Sequence, residues 1–182
     1  MRHSRPARLP HRAAGRKDSA MTATVSGEPL KSEIRTLLQQ GGDTEPVLTA
    51  VLGKLLEAFQ CPVGTIHTLD APSGLLKLRA RRGIPDSILD KVSMIPIGKG
   101  MAGIAAERMQ PVQVCNLQTD SSGVAKPGAK DTKMEGSISA PMILDGKLKG
   151  TLGVAKPVPY EFSDAESALL LEAGAIIASF VK

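Results

Sequence analysis

Hydrophobic positions recur at helical spacing in two segments near the start of the chain. In the first, apolar residues follow the spacing i, i+4, i+7 and i+8, which predicts a helix over about 30–40 that ends at Gly41-Gly42. In the second, a wide apolar stripe runs from Val47 to Phe59 and predicts a helix that begins after Asp43-Thr44. The first two predicted elements are therefore amphipathic helices.

The clearest local signals lie in the last third of the chain. Asp145-Gly146 separates the alternating runs SISAPMIL and KLKGTLGVA, and this pattern predicts a tight hairpin because both turn residues tolerate a positive φ. A final helix is predicted over 164–181, where Ser163 and Glu166 have the spacing of a capping box. Both elements are predicted from residue types at fixed positions as well as from hydrophobicity.

The middle of the chain alternates short strands and short helices. Strands are predicted at 63–69, 75–81, 93–97 and 111–117, and helices at 86–92 and 100–109. Residues 118–136 are polar and rich in Gly, Pro and Lys, which predicts a long functional or mobile loop. Hairpins imply antiparallel pairing, so the order of elements predicts an α+β fold in which helices cover a mostly antiparallel sheet.

Charge separates the start of the chain from the rest. The formal net charge is +5, yet residues 1–20 hold six basic residues and one acidic residue, and the remainder holds 17 of each sign. We expect residues 1–29 to be a disordered basic tail and 30–182 to form one domain. Three interpretations of residues 1–20 stay open: a start-site artefact with initiation at Met21, a basic arm, or a transit peptide. The balanced charge of the domain argues against a nucleic-acid partner.

Cysteine content and hydrophobic segments indicate the cellular compartment in which the protein is expected. The two cysteines, Cys61 and Cys115, match no disulfide framework, metal motif or redox motif. No apolar window is long enough to span a membrane, and no secretory signal is present. We therefore expect a cytoplasmic protein with no membrane partner.

Three phrases in this order resemble the GAF family. They are IPIGKGMAGIAAERMQPVQVCNL at 95–117, SAPMILDGKLKGTLGVAKP at 139–157 and FSDAESALLLEAGAIIASF at 162–180. The resemblance covers about 30–182 and implies a PAS-related six-stranded antiparallel sheet. It implies terminal helices on one face, which often pair into a homodimer, and short helices and loops that enclose a small-molecule pocket on the other.

The resemblance also suggests, by position, which residues line that pocket. Two apolar side chains are expected as walls and four polar ones as ligand contacts: Ile84 and Met101, and Asn116, Asp120, Ser137 and Ser139. No aromatic residue lies between Gln60 and Pro159, which favours a small polar or aliphatic ligand and argues against haem, bilin and flavin. No cofactor and no metal site are expected.

The run Gly98-Lys99-Gly100-Met101-Ala102-Gly103 satisfies G-x-G-x-x-G between a strand and a helix. A dinucleotide-binding loop needs a parallel βαβ unit, which the hairpin-dominated order does not favour. Glycines at these positions also permit a tight turn and close packing. A third interpretation is an anion site at the start of the helix, formed by the amides around Gly98 and Gly100.

Other ligand and cofactor signatures are weaker. The cyclic-nucleotide signature of some GAF domains is represented only by Ala155-Lys156, Phe162 and Glu166-Ser167, without its Asn and with half of its acidic pair. His67 is the only histidine beyond the tail and is best interpreted as a strand residue paired to backbone or water.

Three functions from different classes follow. The first is a non-catalytic module that senses a small molecule in signal transduction. The second is a ligand-free scaffold for dimerisation or docking, with a spare apolar stripe on the terminal helices formed by Leu30, Leu37, Leu38, Leu171 and Val181. The third is a free methionine-(R)-sulfoxide reductase, since those enzymes resemble GAF domains; Cys115 would then be the essential thiol. The positions of Cys61 and Cys115 fit small core residues better.

Overall fold

A computed structural model describes residues 27–181 of the chain. The helices in this part are α1 (Gly27–Gln39), α2 (Thr44–Phe59), α3 (Leu89–Val92), α4 (Gly100–Arg108), α5 (Pro127–Lys130) and α6 (Asp164–Ala178). The strands are β1 (Val63–Asp70), β2 (Leu75–Arg82), β3 (Met94–Pro96), β4 (Val112–Val114), β5 (Ser137–Leu144) and β6 (Lys147–Ala155). A single 3₁₀ turn, Asp86–Ile88, precedes α3.

The strands form one six-stranded sheet in the order β3-β2-β1-β6-β5-β4, and every neighbouring pair is antiparallel. The β5–β6 hairpin turns at Asp145 (φ 50°) and Gly146 (φ 72°), so both turn residues adopt the positive φ that a tight hairpin requires. The predicted hairpin and the α+β fold class are confirmed.

The terminal helices pack on one face of the sheet and form the main hydrophobic core. Alternate residues of the central strands, such as Ile66 and Leu152, face α2 and α6, where Leu55 and Ile177 are fully buried. Burying a side chain of this size contributes about 1.5–3 kcal/mol to the free energy of unfolding. This face is therefore filled by the protein itself.

The start of α6 is fixed by side chains that the sequence identified. Ser163 Oγ accepts from the Glu166 amide at 3.2 Å, and Glu166 Oε2 accepts from the Ser163 amide at 2.8 Å. Tyr160 Oη donates to the other Glu166 oxygen at 2.9 Å. The predicted capping box is present, and it joins α6 to the segment that follows β6.

The opposite face of the sheet is covered by α3, α4, α5 and their connecting loops. Helix α4 packs over β5 and β6. At its first turn Gly103 lies so close to the Pro96 carbonyl that a β-carbon there would overlap it. The glycines of the G-x-G-x-x-G run thus permit a tight turn and close packing. The strands before and after α4, β3 and β4, lie at opposite edges of an antiparallel sheet, so they do not form the parallel βαβ unit that a dinucleotide-binding loop needs.

Several boundaries differ from the predictions. Helix α1 begins at Gly27, so 27–29 belong to the folded domain; the rest of the predicted tail lies outside the described residues. The polar segment 118–136 contains the short helix α5, and the strand predicted at 111–117 pairs only over Val112–Val114. Asp43 occupies the N-cap position of α2 without a side-chain cap hydrogen bond.

The stripe proposed for dimerisation is mostly part of the core of the same chain. Leu30, Leu38 and Val181 are only 5%, 9% and 6% exposed, because α1 packs against α2 and α6, and α6 packs against the sheet. Leu37 and Leu171 are half-buried. A spare apolar stripe of five residues is therefore wrong; two partly exposed leucines remain.

Candidate functional site

A cavity of about 420 Å³ lies between the sheet and the elements that cover it. Its floor comes from β1, β6 and β5, and its walls from α3, β3, the start of α4 and α5. This is the place that the resemblance assigned to a ligand pocket. Its volume falls within the roughly 300–1,000 Å³ of small-molecule sites.

The floor is open because small residues occupy its centre. Cross-strand pairing places Gly153 between Thr65 and Ser139, and Ala155 between Val63 and Ser137. All six residues line the cavity. A β-carbon at Gly153 would lie 3.7 Å from Thr65 Oγ1 and 3.8 Å from Ser139 Oγ, at ordinary contact distance. The row Thr65–Gly153–Ser139 therefore forms a shallow floor edged by two hydroxyl groups.

His67 is on the cavity wall, two residues beyond Thr65 on the same face of β1. Its Nε2 donates to the Val92 carbonyl at 2.8 Å; a carbonyl only accepts, so the proton is on Nε2. Nδ1 is then an acceptor, and it has no hydrogen-bond partner within residues 27–181. Burial lowers the pKa of His67, more than the hydrogen bond to Val92 raises it, so the ring is neutral near pH 7.

The walls are apolar and the mouth is basic. Ile84, Met101 and Leu117 contribute aliphatic or thioether surface. The charged side chains among the lining residues of the described chain are three exposed lysines, Lys91, Lys99 and Lys126, with no aspartate or glutamate. Lys91 pairs with Asp131 at 3.1 Å, whereas Lys99 and Lys126 have no ion pair within residues 27–181.

The start of α4 borders the cavity. Of the two glycines predicted to form an anion site, Gly98 and Gly100, only Gly100 lines the cavity. The Gly98 amide donates to the Gly103 carbonyl at 2.8 Å, so it is not free to bind an anion, and Gly98 does not line the cavity. Gly100, Met101 and Ala102 form the first turn of α4 and do line it. First-turn amides have no acceptor within their own helix.

Two predicted polar contacts lie elsewhere. Asn116 Oδ1 accepts from the Gln118 amide at 2.9 Å, and its Nδ2 donates to Glu135 Oε2. Asp120 accepts from the Ser122 hydroxyl and from the amides of Ala125 and Ser122, and these hydrogen bonds lower the pKa of its carboxyl. Both side chains shape the loop after β4, as Asn and Asp commonly do, and neither lines the cavity.

Ile84, Met101, Ser137 and Ser139 do line the cavity, together with Gly100. The serine hydroxyls also donate to strand carbonyls, Ser137 to Val154 at 3.3 Å and Ser139 to Leu152 at 3.5 Å. The sequence prediction of the cavity lining did not include Thr65 or His67, although the interpretation of His67 as a strand residue paired to backbone is confirmed. The signal was present, because alternation along VGTIHTL places them opposite Ile66, which faces the helices.

Neither cysteine lines the cavity. Cys61 lies in the core among the terminal helices, and burial raises the pKa of its thiol to about 11. Cys115 is exposed on the segment that follows β4, so the interpretation of this cysteine as a small core residue is wrong. A thiolate is therefore not positioned against a molecule in the cavity.

The residues that match part of the cyclic-nucleotide signature have structural partners. Lys156 Nζ donates to the Phe59 carbonyl at 2.6 Å and lies 4.5 Å from the centre of the Tyr160 ring. Phe162 is in the core, and Glu166 caps α6. These contacts join β6 to α2 and α6 on the face away from the cavity.

No helix within residues 27–181 has the length and apolar character needed to cross a membrane. No three His, Cys, Asp or Glu side chains there cluster as metal ligands would.

A six-stranded antiparallel sheet with terminal helices on one face and a covered cavity on the other defines a small α+β domain fold. The family model described as GAF domain matches residues 42–182, which is most of the chain. The protein therefore belongs to the GAF domain family. A comparison with curated protein sequences found no significant match.

Solved structures share this fold at low sequence identity. The GAF domain of a phosphoenolpyruvate-protein phosphotransferase from Coxiella burnetii superimposes with a TM-score of 0.74 at 20% identity, covering 87% of this chain and 94% of that one. The free methionine-R-sulfoxide reductase of Neisseria meningitidis, in complex with its substrate, gives 0.70 at 19% identity and 94% coverage of both chains. The nlh2 GAF domain of A. aeolicus in an inactive state gives 0.66 at 23% identity, covering 85% and 94%.

Proposed function

We propose that this GAF domain is a non-catalytic regulatory module that binds a small molecule in the cavity on the α4 side of the sheet. The observation that carries the proposal is the open floor around Gly153 and Ala155, which leaves about 420 Å³ unfilled. Protein interiors are otherwise packed with few voids larger than a water molecule. A cavity of this size next to buried polar groups is the usual form of a ligand site.

The lining favours a small molecule with an aliphatic part and a few polar atoms. The walls offer apolar surface from Ile84 and Met101, and the floor offers hydroxyl groups from Thr65, Ser137 and Ser139. No aromatic ring is among the lining residues of the described chain. Stacking of a planar ring system, worth about 1–3 kcal/mol per base in nucleic-acid complexes, is therefore not available.

The positions of the cysteines support a non-catalytic module over a reductase. Attack on a sulfoxide needs a thiolate, and a thiol with a pKa of about 11, such as Cys61, is almost entirely protonated at neutral pH. Cys115 is exposed and outside the cavity lining. The Neisseria meningitidis structure is that of a reductase, but at 19% identity it supports the shared fold alone.

The proposal places the module in the cytoplasm, where it signals through a homodimer formed by the terminal helices. Leu37 on α1 and Leu171 on α6 are the partly exposed apolar residues available for that contact. Multi-angle light scattering on the protein and on a Leu37→Ser/Leu171→Ser variant tests this part. A monomer at high micromolar concentration contradicts it.

Equilibrium dialysis against a small-molecule cell extract, followed by mass spectrometry, tests the binding function. The protein is expected to retain at least one small molecule that is released on denaturation. Retention of nothing above the level of a serum-albumin control contradicts the proposal. In parallel, the protein is expected not to reduce free methionine-(R)-sulfoxide with a thiol reductant; activity that disappears in Cys115→Ser would establish the reductase instead.

A further inference from the structure

Hydroxyl groups of the cavity lining lie on both sides of Gly153, at the centre of the floor. Leu152 and Val154, the neighbours of this glycine on β6, belong to the core on the helix face, so Gly153 faces the cavity. Thr65 Oγ1 and Ser139 Oγ lie 3.7 Å and 3.8 Å from the position that its β-carbon would take. Both hydroxyl oxygens therefore border the open space directly above Gly153.

The two serine hydroxyl groups of the floor are only weakly satisfied by the protein. Ser139 is 4% exposed, and its Oγ donates to the Leu152 carbonyl at 3.5 Å. Ser137, on the same face of β5, donates to the Val154 carbonyl at 3.3 Å. A normal O–H···O hydrogen bond is about 2.5–3.0 Å long, and a buried polar group without a good partner destabilises the folded state. A ligand group that pairs with these hydroxyl groups would improve on their contacts with the strand.

The described part of the lining offers no buried partner for a charged ligand group. Its charged residues, Lys91, Lys99 and Lys126, are all exposed at the mouth, and Lys91 is already paired with Asp131. A charge that is buried without a partner is strongly destabilising, whereas an ion pair with an exposed lysine contributes little. The floor therefore favours a ligand whose buried polar group is neutral.

A hydroxyl group is the neutral ligand group that suits this floor. It both donates and accepts, so it pairs with Thr65 or Ser139 whichever way their own protons point, whereas an ether only accepts. The walls contribute apolar surface from Ile84, Met101 and Leu117, which suits an aliphatic body. At roughly 30 Å³ for each non-hydrogen atom, the 420 Å³ cavity holds at most about 14 such atoms.

We propose that the cavity binds a neutral aliphatic alcohol whose hydroxyl group lies at Gly153, between Thr65 and Ser139. The carbon chain of the alcohol lies against Ile84 and Met101 on the cavity walls. This inference rests on the proposed ligand-binding function and names the chemical class of the ligand.

Calorimetric titration of the full chain with straight-chain probes tests the class of ligand. The probes are the primary alcohols from butanol to decanol, each compared with its isomeric methyl ether and with the carboxylic acid and the amine of the same chain length. At least one alcohol is expected to bind with a Kd about fivefold or more below that of its ether and about tenfold or more below those of the charged probes. Each added methylene is expected to lower the Kd of the alcohols about fourfold while the chain still fits the cavity.

A double variant tests the position of the ligand hydroxyl group. Thr65→Val/Ser139→Ala removes both hydroxyl groups beside Gly153 and is expected to reduce the preference for the alcohol over its ether to less than about twofold. Thr151→Val is the matched control, because Thr151 is fully buried on β6 and lies outside the lining. Its Oγ1 has no hydrogen-bond partner within residues 27–181, so this variant is expected to fold and to keep the full preference. If the double variant does not fold, the two single variants are compared instead, and at least one is expected to lose half or more of the preference.

The outcomes separate this inference from the binding function on which it rests. If ethers, acids or amines bind as well as the alcohols, the inference is overturned and the binding function stands. The same holds if the variants that lack the floor hydroxyl groups keep the full preference for the alcohol. If no probe binds, the inference is overturned, and the dialysis experiment decides alone whether the cavity is a ligand site.

Discussion

Replacing Gly153 by valine tests whether the cavity is a binding site, because this glycine lies at the centre of the floor. It has an extended backbone without positive φ, and its missing β-carbon would meet its nearest neighbours, including the Ile138 carbonyl at 3.5 Å, at ordinary contact distance. The β-carbon of the substitution therefore fits at ordinary contact distance, and we expect its two methyl groups to extend into the cavity. If each added carbon fills roughly the 30 Å³ that a water molecule occupies, the valine side chain fills about 90 Å³ of the cavity. That is about a fifth of its 420 Å³.

The expected effect on stability is small or favourable. Removing a strand glycine gains about 0.5–1 kcal/mol, and partial burial of the valine side chain adds up to about 1.5 kcal/mol. Since about 1 kcal/mol shifts the melting temperature of a domain this size by roughly 2–4 °C, a total gain of about 0.5–2.5 kcal/mol is expected to make Gly153→Val melt about 1–10 °C higher. Ligand affinity is expected to fall about tenfold or more, because the valine occupies the floor between Thr65 and Ser139.

Differential scanning fluorimetry and calorimetric titration measure the two effects. Gly53→Leu is the matched control, because Gly53 lies on α2, outside the cavity lining, with Arg82 Nη1 3.6 Å from its missing β-carbon. A loss of more than about 2 kcal/mol in Gly153→Val would show overpacking and refute the open floor. Unchanged ligand affinity in a folded Gly153→Val variant would refute the position of the site.

Three further predictions concern titration and stability. At pH 8 a thiol reagent is expected to label Cys115 in the folded protein and Cys61 only after unfolding, since burial raises the Cys61 pKa to about 11; equal labelling would contradict this. Burial lowers the pKa of His67, so below about pH 6.5 this residue binds a proton in the unfolded chain more readily than in the folded one. The free energy of unfolding is therefore expected to fall as the pH drops below about 6.5, by at most about 1.4 kcal/mol per pH unit. Urea titrations should show that slope reduced in His67→Gln. Lys156→Met is expected to destabilise the protein by about 1–3 kcal/mol by leaving the Phe59 carbonyl without its donor; an unchanged urea midpoint would contradict that role.

The sequence predicted the elements whose chemistry is local. The hairpin was predictable because Asp145-Gly146 suits two consecutive positive φ angles, and the start of α6 because Ser163 and Glu166 satisfy each other's backbone amides. The fold class followed from the order of such elements. These patterns involve residues that are close together in the sequence, so they can be interpreted without knowing which distant segments are in contact.

The site was predicted only in part, because it depends on contacts between distant segments. Asn116 and Asp120 are polar and lie near the cavity in sequence, yet their oxygens are used by amides of their own loop. That use was foreseeable, since Asn and Asp favour such turns. The unpaired Nδ1 of His67 was not foreseeable, because it requires knowing that Val92, 25 residues away, takes the other ring nitrogen.

Native mass spectrometry of the protein purified without denaturation, run beside Gly153→Val, tests the central claim most directly. We predict a small-molecule adduct on the unmodified protein that is absent from Gly153→Val. An adduct that both proteins retain would place the ligand outside the cavity, and adduct-free spectra for both would contradict the claim that this GAF domain binds a small molecule.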